Sequence, residues 1–333
     1  MTMGGLWPRL RLKLLCWTSC PKGARLFPAV SAITLIIPGK GALGMMLEQV
    51  TRPALRYHGG KFRLAAWIIK FFPPHRVYVE PFGGGASLLL RKSRVYAEIY
   101  NDLDDELVNV FSVLRNRGDE LLEALKLTPF ARAEFDLSYE ISTCPVEQAR
   151  RTIVRSFMGF GSAAASGKRT GFRANSNRSH TTPAYDWKNY PDALPVIIER
   201  LRGVIVENRD AAEVIQQHDS EETLIYADPP YVLSTRSLRG GIKSYTAHTG
   251  YKYEMSDDEH RALAKLLHSV SGMVVLSGYS SKLYEHELYA KWERFEKQSM
   301  ADGAKPRTEI VWINPACSEA LHAASGLFGA YRG

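Results

Sequence analysis

The sequence predicts an α/β protein: an open, mostly parallel sheet with helices on both faces. Three observations predict it. Apolar runs of strand length recur at 77–80, 95–100, 204–207, 224–227 and 273–277. Stretches of helical character precede and separate them, the first at 61–72 with apolar Leu64, Ile68, Ile69 and Phe72. Turn residues close several runs, among them Gly83–Gly85, Asn101-Asp102 and Asp228-Pro229-Pro230. Strands alternating with helices form parallel βαβ units, whose ligands bind beyond the carboxyl ends of the strands.

In chain order, 61–72 reads as a helix, 77–80 as a short buried strand, and Ala86 opens a helix that runs to Arg91. The strand at 95–100 leads into a mostly helical region, 104–159, with breaks near Gly118, Pro129 and Pro145. Residues 160–192 are polar, basic and rich in Gly, Ser, Asn and Thr, and read as loop or hairpin. The alternation resumes with a strand at 204–207, a helix at 211–217, a strand at 224–227, a helix at 257–269 and a strand at 273–277. Segments 292–297 and 309–313 read as a closing antiparallel pair. The expected division is a catalytic domain of 45–115 and 200–320 around an insertion of 116–199.

Composition narrows the class. With 333 residues, 45% hydrophobic and 11% aromatic, the chain carries enough apolar material for a real core. It has no run of about 18 apolar residues, so no membrane span is expected. Its four cysteines, Cys16, Cys20, Cys144 and Cys317, form no CxxC pair. Neither a disulfide framework nor a zinc site is indicated, no metal is expected, and a reducing, cytoplasmic setting fits. The net charge is +8, but residues 1–44 hold six basic residues and no acidic one. Removing those six from the 43 basic residues leaves 37 against 35 acidic, so any nucleic-acid argument rests on local charge. Residues 1–44 are expected to be a disordered or over-extended segment, with Met45 or Met46 the true first residue; an intact mass that includes them would refute this.

Two motifs carry chemistry. Val79-Glu80-Pro81-Phe82-Gly83-Gly84-Gly85-Ala86-Ser87 is a strand, a glycine turn and a helix start. Glycines let a backbone approach a ligand closely, and Asp102, at the end of the next strand, can hold the ribose hydroxyls of a nucleoside cofactor. A tight turn without ligand is the plain alternative. A dinucleotide site is a poor one, because GxGxxG fails at Leu88, and no GxxxxGK[ST] is present. The second motif, Asp228-Pro229-Pro230-Tyr231, directly follows an apolar strand. The prolines stop the strand and remove two donors while their carbonyls still accept. A carboxylate and a proline carbonyl can grip the two hydrogens of an exocyclic amine, and Tyr231 offers a ring on which a base stacks. Alone, the tetrapeptide reads equally as a rigid turn with an incidental aspartate.

Tyr57-His58-Gly59-Gly60-Lys61, Glu80-Pro81-Phe82-Gly83-Gly84-Gly85, Asn101-Asp102-Leu103-Asp104 and Asp228-Pro229-Pro230-Tyr231, in that order, resemble the Dam-type (D12 class) family of adenine-N6 DNA methyltransferases. The resemblance covers roughly residues 52–315. It implies a Rossmann-like S-adenosylmethionine-dependent methyltransferase fold with a target-recognition insertion. It implies that Tyr57 and Lys61, with Gly60 between them, contact the methionine end of the cofactor. Glu80, Pro81, Phe82, Gly83 and Gly85 would line its pocket, with Asp102 at the ribose and Asp210 near the adenine. Asp228, Pro229, Pro230 and Tyr231 form the catalytic grip, with Asp228 also bordering the cofactor. Gly84 stands where relatives often carry a larger residue, and Asn101 reads as neutral.

Residues 150–182 contain Arg150, Arg151, Arg155, Lys168, Arg169, Arg173 and Arg178 and no acidic residue, with Asn175 and Asn177 among them. Arginine and asparagine suit guanine and adenine edges, although most such runs are simply solvated. A second acid-free stretch, 232–252, follows the tetrapeptide and holds Arg236, Arg239, Lys243 and Lys252. DNA contact is expected at Arg155, Lys168, Arg169, Arg173, Asn175, Asn177, Arg178, Arg236 and Lys243, with salt-sensitive binding. The expected reaction is direct methyl transfer to N6 of an adenine flipped out of duplex DNA. The chain is expected to be a monomer, with a cognate restriction endonuclease as a further partner, and the resemblance alone points to a GATC-like site. Alternatives are a cytosine-N4, RNA or protein methyltransferase of the same fold, a nucleotide-dependent oxidoreductase, and a non-catalytic DNA-binding module.

Overall fold

The computed structural model describes residues 49–161, 169–177, 181–235, 252–300 and 306–329. Among these, the strands are β1 (Val77–Glu80), β2 (Ala97–Asn101), β3 (Ile205–Glu207), β4 (Thr223–Ala227), β5 (Met273–Gly278), β6 (Glu293–Met300) and β7 (Pro306–Ile313). They form one sheet in the order β3-β2-β1-β4-β5-β7-β6. β1 pairs in parallel with β2 and β4, β2 with β3, and β4 with β5. β7 lies antiparallel between β5 and β6.

The apolar runs form strands because they are covered on both faces, as parallel strands require. Side chains alternate between two cores. Leu224 and Tyr226 of β4, with Tyr78 and Tyr100 from β1 and β2, face one. Ile225 and Ala227, with Val79 and Ile99, face the other. The helices are α1 (Ala65–Ile68), α2 (Ser87–Arg91), α3 (Asp105–Lys126), α4 (Arg132–Leu137), α5 (Pro145–Met158), α6 (Pro183–Lys188), α7 (Leu194–Leu201), α8 (Ala211–His218), α9 (Asp257–Ser269) and α10 (Pro315–Gly329). Buried residues of α3, α5 and α7 join the Tyr78 core, so segment 116–199 packs in the same cluster as the sheet. Buried residues of α8 and α9 join the Val79 core. α9 starts where the sequence reading placed it because Ser256 and Glu259 form a reciprocal capping box.

Three expectations changed, and two elements had not been expected. The helix expected at 61–72 is only α1 plus a 3₁₀ turn, Ile69–Phe71; Phe72 is extended, as a residue before proline prefers. The break expected near Gly118 is a kink at Arg117 inside one helix. There an added Cβ on Gly118 would meet Ile198 of α7 at 2.7 Å, so the glycine permits close helix packing. The loop expected at 160–192 contains α6, which starts at Pro183 behind a Thr182 side chain that accepts from the Tyr185 N–H. The π-helical turn Leu283–Leu288 and α10 carried no signal that was read from the sequence.

β1 leads to β2 on one side, while β4 leads to β5 on the other. The carboxyl ends of β1 and β4 therefore flank the point where strand order reverses, the place where open α/β sheets form a crevice. Glu80 ends β1, and Asp228 directly follows β4.

Candidate active site

Asn101, fully buried at the end of β2, ties the crevice together. Its amide donates to the carbonyls of Pro81 and Arg209 at 2.9 and 3.0 Å, and its oxygen accepts from the Arg209 N–H at 2.9 Å. One side chain so joins the chain ends after β1, β2 and β3. A residue read as neutral is a structural keystone, and a lone asparagine gives no signal of this in sequence.

The glycine turn is held by its neighbours. The Gly83 N–H donates to the Asn101 carbonyl at 2.8 Å, and the Ala86 N–H to that of Gly83 at 2.7 Å. An added Cβ on Gly83 would lie 2.2 Å from the Tyr100 ring. Gly84 has φ +48°, and its added Cβ would meet the Tyr57 ring at 2.9 Å. Glycine at 84 thus answers both a left-handed backbone and a close ring. Asp102 fixes the turn: Oδ2 accepts from the Gly84 N–H at 2.7 Å and Oδ1 from the Asp104 N–H at 2.8 Å. Burial pushes its carboxyl up to about 6. The carboxylate keeps acceptor capacity for a ligand hydroxyl.

A cavity of about 430 Å³ opens beside this turn. Its walls include Tyr57, Gly60, Lys61, Glu80, Pro81, Phe82, Gly83, Gly85, Asp102, Asp210, Asp228 and Pro230. Twelve residues singled out from sequence are thereby brought to one place, whereas Pro229 is buried and, with Tyr231, does not line it. Glu80 is buried; its Oε2 accepts from the Tyr78 hydroxyl and the Leu89 N–H, both at 3.0 Å. Burial raises its carboxyl to about 8. Asp210 caps α8 by accepting from the Ala212 N–H at 2.8 Å. Further walls come from Asp104, Lys252, Tyr253, Glu254, Met255 and the face of α9 carrying Ala262 and Leu263. The sequence reading assigned these no cofactor role: Asp104 entered only as the end of the Asn101-Asp102-Leu103-Asp104 motif, and the wall supplied after the tetrapeptide carries no motif. Lys252 Nζ lies 2.8 Å from Asp104 Oδ1.

Lys61, 3% exposed, places Nζ 3.0 Å from Asp228 Oδ2. The ammonium also donates to the Gly59 carbonyl at 2.6 Å and sits 4.8 Å from the Tyr231 ring centre. Burial raises the Asp228 carboxyl and Lys61 opposes the rise. Tyr231, 6% exposed, donates its hydroxyl to Glu309 Oε2 at 3.2 Å. Asp228 Oδ1 is buried without a hydrogen-bond partner, so the carboxylate retains an acceptor for an incoming N–H.

The arginine set is corrected. Arg155 is 3% exposed, pairs with Glu106 and donates to the Ser138 carbonyl at 3.0 Å. Arg173 is 9% exposed and donates to the Phe157 carbonyl at 3.0 Å. Neither side chain can reach DNA without leaving the core. Arg150 and Arg151 are likewise engaged, with Glu134 and Glu147. The acidic partners lie outside the window whose charge was counted. Arg169 remains 74% exposed, 3.5 Å from Asp136, and Asn175 and Asn177 are exposed. Phe160, 70% exposed, stands next to the Gly159–Phe172 bridge. Lys168, Arg178, Arg236 and Lys243, with residues 1–44, lie outside the described residues.

The cavity falls within the roughly 300–1,000 Å³ of small-molecule sites. Its glycine floor, the Asp102 carboxylate and the partly apolar wall fit a nucleoside-bearing cofactor, with Asp228 at the edge to hold an acceptor. Such an arrangement belongs to an enzyme that moves a group from that cofactor onto an amine. The chain belongs to the D12 class of N6 adenine-specific DNA methyltransferases, whose sequence profile matches residues 57–301. It is 25% identical over 299 residues to a DNA adenine methylase of Haemophilus influenzae, spanning 83% of this chain and 96% of that protein. It is 27% identical over 285 residues to a type II methyltransferase of Lactococcus lactis subsp. cremoris, spanning 79% and 95%. A type II methyltransferase of Methanocaldococcus jannaschii is 27% identical over 241 residues, 64% of this chain and 78% of that protein. The chain is thus an adenine-N6 DNA methyltransferase with S-adenosylmethionine as its cofactor. Among the described residues, no helix is long and apolar enough to cross a membrane.

Proposed function

We propose that this enzyme acts on duplex DNA in the cytoplasm, flipping one adenine into the space beside Asp228 and methylating it at a specific short sequence. The observation that supports the assignment of roles most strongly is Asp228: its carboxylate is paired on one oxygen to Lys61 and lacks a partner on the other, at the edge of the cofactor cavity. Asp228 Oδ1 and the Pro229 carbonyl would accept the two N6 hydrogens and expose the nitrogen lone pair, and Tyr231 would supply the stacking ring. Tyr57, Gly60, Lys61, Glu80, Pro81, Phe82, Gly83, Gly85, Asp102 and Asp210 would hold the cofactor, which when bound supplies an electrophilic methyl group. The protein's contribution is orientation. Base extrusion costs a few kcal/mol, which stacking and the Asp228 grip offset.

Segment 116–199 would carry target recognition, through exposed Arg169, Asn175, Asn177 and Phe160, with Lys168 and Arg178 in the same stretch. Arg236 and Lys243 would touch DNA from the stretch after Tyr231. The type II relatives support a restriction–modification role beside an endonuclease, and a chain acting as a monomer would suffice for transfer.

The test is methyl transfer from labelled S-adenosylmethionine to unmethylated duplex DNA, with nucleoside analysis and site mapping. N6-methyladenine at one motif is expected, and Asp228→Ala should abolish it without loss of fold. Substantial transfer by that variant would refute the roles assigned here.

A further inference from the structure

We propose that Glu309 is a positioning residue for methyl transfer, acting through the Tyr231 hydroxyl. This rests on the reading of Tyr231 as the ring that holds the target base.

Tyr231 leaves β4 after two prolines, so neither a strand ladder nor a helix orients its ring. Side-chain contacts do so instead, among them three. Glu309 Oε2 accepts from the hydroxyl at 3.2 Å. The Tyr279 ring meets it nearly perpendicularly at 4.5 Å and 73°. Lys61 lies 4.8 Å from the ring centre. Of these three, Glu309 is a directional hold on the ring's far end; the Tyr231 side chain also lies within hydrogen-bonding reach of the Asp228 carboxylate.

Glu309 sits on β7, antiparallel to β5, where Ile310 pairs with Gly278, the residue before Tyr279. Arg307, two residues away and so on the same face of β7, donates to the Tyr279 hydroxyl at 3.1 Å. One strand face therefore steers both tyrosines beside the amine grip. Glu309 is 9% exposed, and a carboxylate that deep is retained at a cost unless it is hydrogen-bonded. The bond it makes is to Tyr231. A ring free to tilt would carry the base away from the amine grip, and misplacement of about 1 Å costs roughly 100-fold in rate.

The experiment uses the full chain with S-adenosylmethionine and a duplex containing the mapped site, and measures kcat, KM for DNA and cofactor affinity. Glu309→Ala should lower kcat roughly 10- to 100-fold and leave cofactor affinity unchanged. Glu309→Gln, whose amide oxygen still accepts the bond, should recover most of that loss. In a Tyr231→Phe background, Glu309→Ala should cause no further fall, because the hydroxyl through which it acts is gone. Wild-type kcat in Glu309→Ala, or the same fall in both backgrounds, overturns the proposal. If Glu309→Ala does not yield folded protein, Glu309→Met is the acceptor-free variant of similar length. Tyr231→Ala separates the two readings. Wild-type transfer in that variant removes Tyr231 as the base platform; lost transfer there alongside an active Glu309→Ala removes only the role of Glu309.

Discussion

Lys61 Nζ and Asp228 Oδ2 lie 3.0 Å apart, joining the first sequence motif of the chain to the tetrapeptide after β4. Lys61 opposes the upward push that burial exerts on the Asp228 carboxyl. The grip on N6 proposed for Asp228 needs the ionised form, so on that reading activity is lost as pH falls through the Asp228 pKa. Without Lys61 that pKa rises. Lys61→Met should therefore move the acid limb of the kcat/KM profile to higher pH, and recover part of its activity on going to alkaline pH. A profile of unchanged shape, merely scaled down, would show that Lys61 does not govern Asp228.

Glu80 makes a second pH prediction, on stability. Its folded-state carboxyl is raised from 4.5 to about 8 by burial. Between those values the folded state holds a proton that the unfolded chain has released, so unfolding is favoured as pH rises through that window. Glu80→Gln removes this dependence and keeps an oxygen for Tyr78 and Leu89. The melting temperature of the variant should exceed that of the wild type by more at pH 8 than at pH 5. A constant difference across that range would contradict the assignment.

What the sequence showed and what it hid follow from the range of each signal. The run before Asp228 is legible because a parallel strand buried on both faces must be apolar throughout, and Leu224, Ile225, Tyr226 and Ala227 are adjacent in the chain. The glycine turn is legible for the same reason: Gly83, Gly84 and Gly85 answer a local backbone demand. Glu309 was not legible, since a single acid in a strand looks like a solvent-facing residue until Tyr231 is placed against it. Arg155 was misread because its partner, Glu106, lies on another helix. Phe72, placed in a helix, is extended because Pro73 follows it.

Gly83 tests the fit of the turn. Its added Cβ would overlap the Tyr100 ring at 2.2 Å. That ring is fully buried, packs 4.6 Å from Phe111 and donates its hydroxyl to the Gly84 carbonyl at 2.9 Å. Gly83→Ala must move either the ring or the turn. Overpacking of this kind costs about 1–3 kcal/mol, read as a lower denaturation midpoint. Cofactor affinity should also fall, because the displaced backbone lines the cavity. Adding Tyr100→Leu should restore part of the affinity, and the absence of any rescue would place the strain elsewhere.

Arg155 and Arg169 look alike in sequence and should behave as opposites. Arg155 is held inside by Glu106 and the Ser138 carbonyl. Breaking such a pair leaves Glu106 without its guanidinium, so Arg155→Ala should destabilise the protein by about 3 kcal/mol or more, measured by chemical denaturation. The variant that remains folded should bind DNA with the wild-type salt dependence. Arg169 is exposed, and its 3.5 Å approach to Asp136 contributes little to stability. Arg169→Ala should leave the denaturation midpoint unchanged. If Arg169 contacts a phosphate, the slope of log affinity against log salt should fall by about one. If it reads a base edge, the slope should hold while discrimination at one position of the site relaxes. An Arg169→Ala variant with unaltered slope and unaltered discrimination would remove it from the DNA interface, leaving Asn175, Asn177 and Phe160 as the exposed contacts to test next.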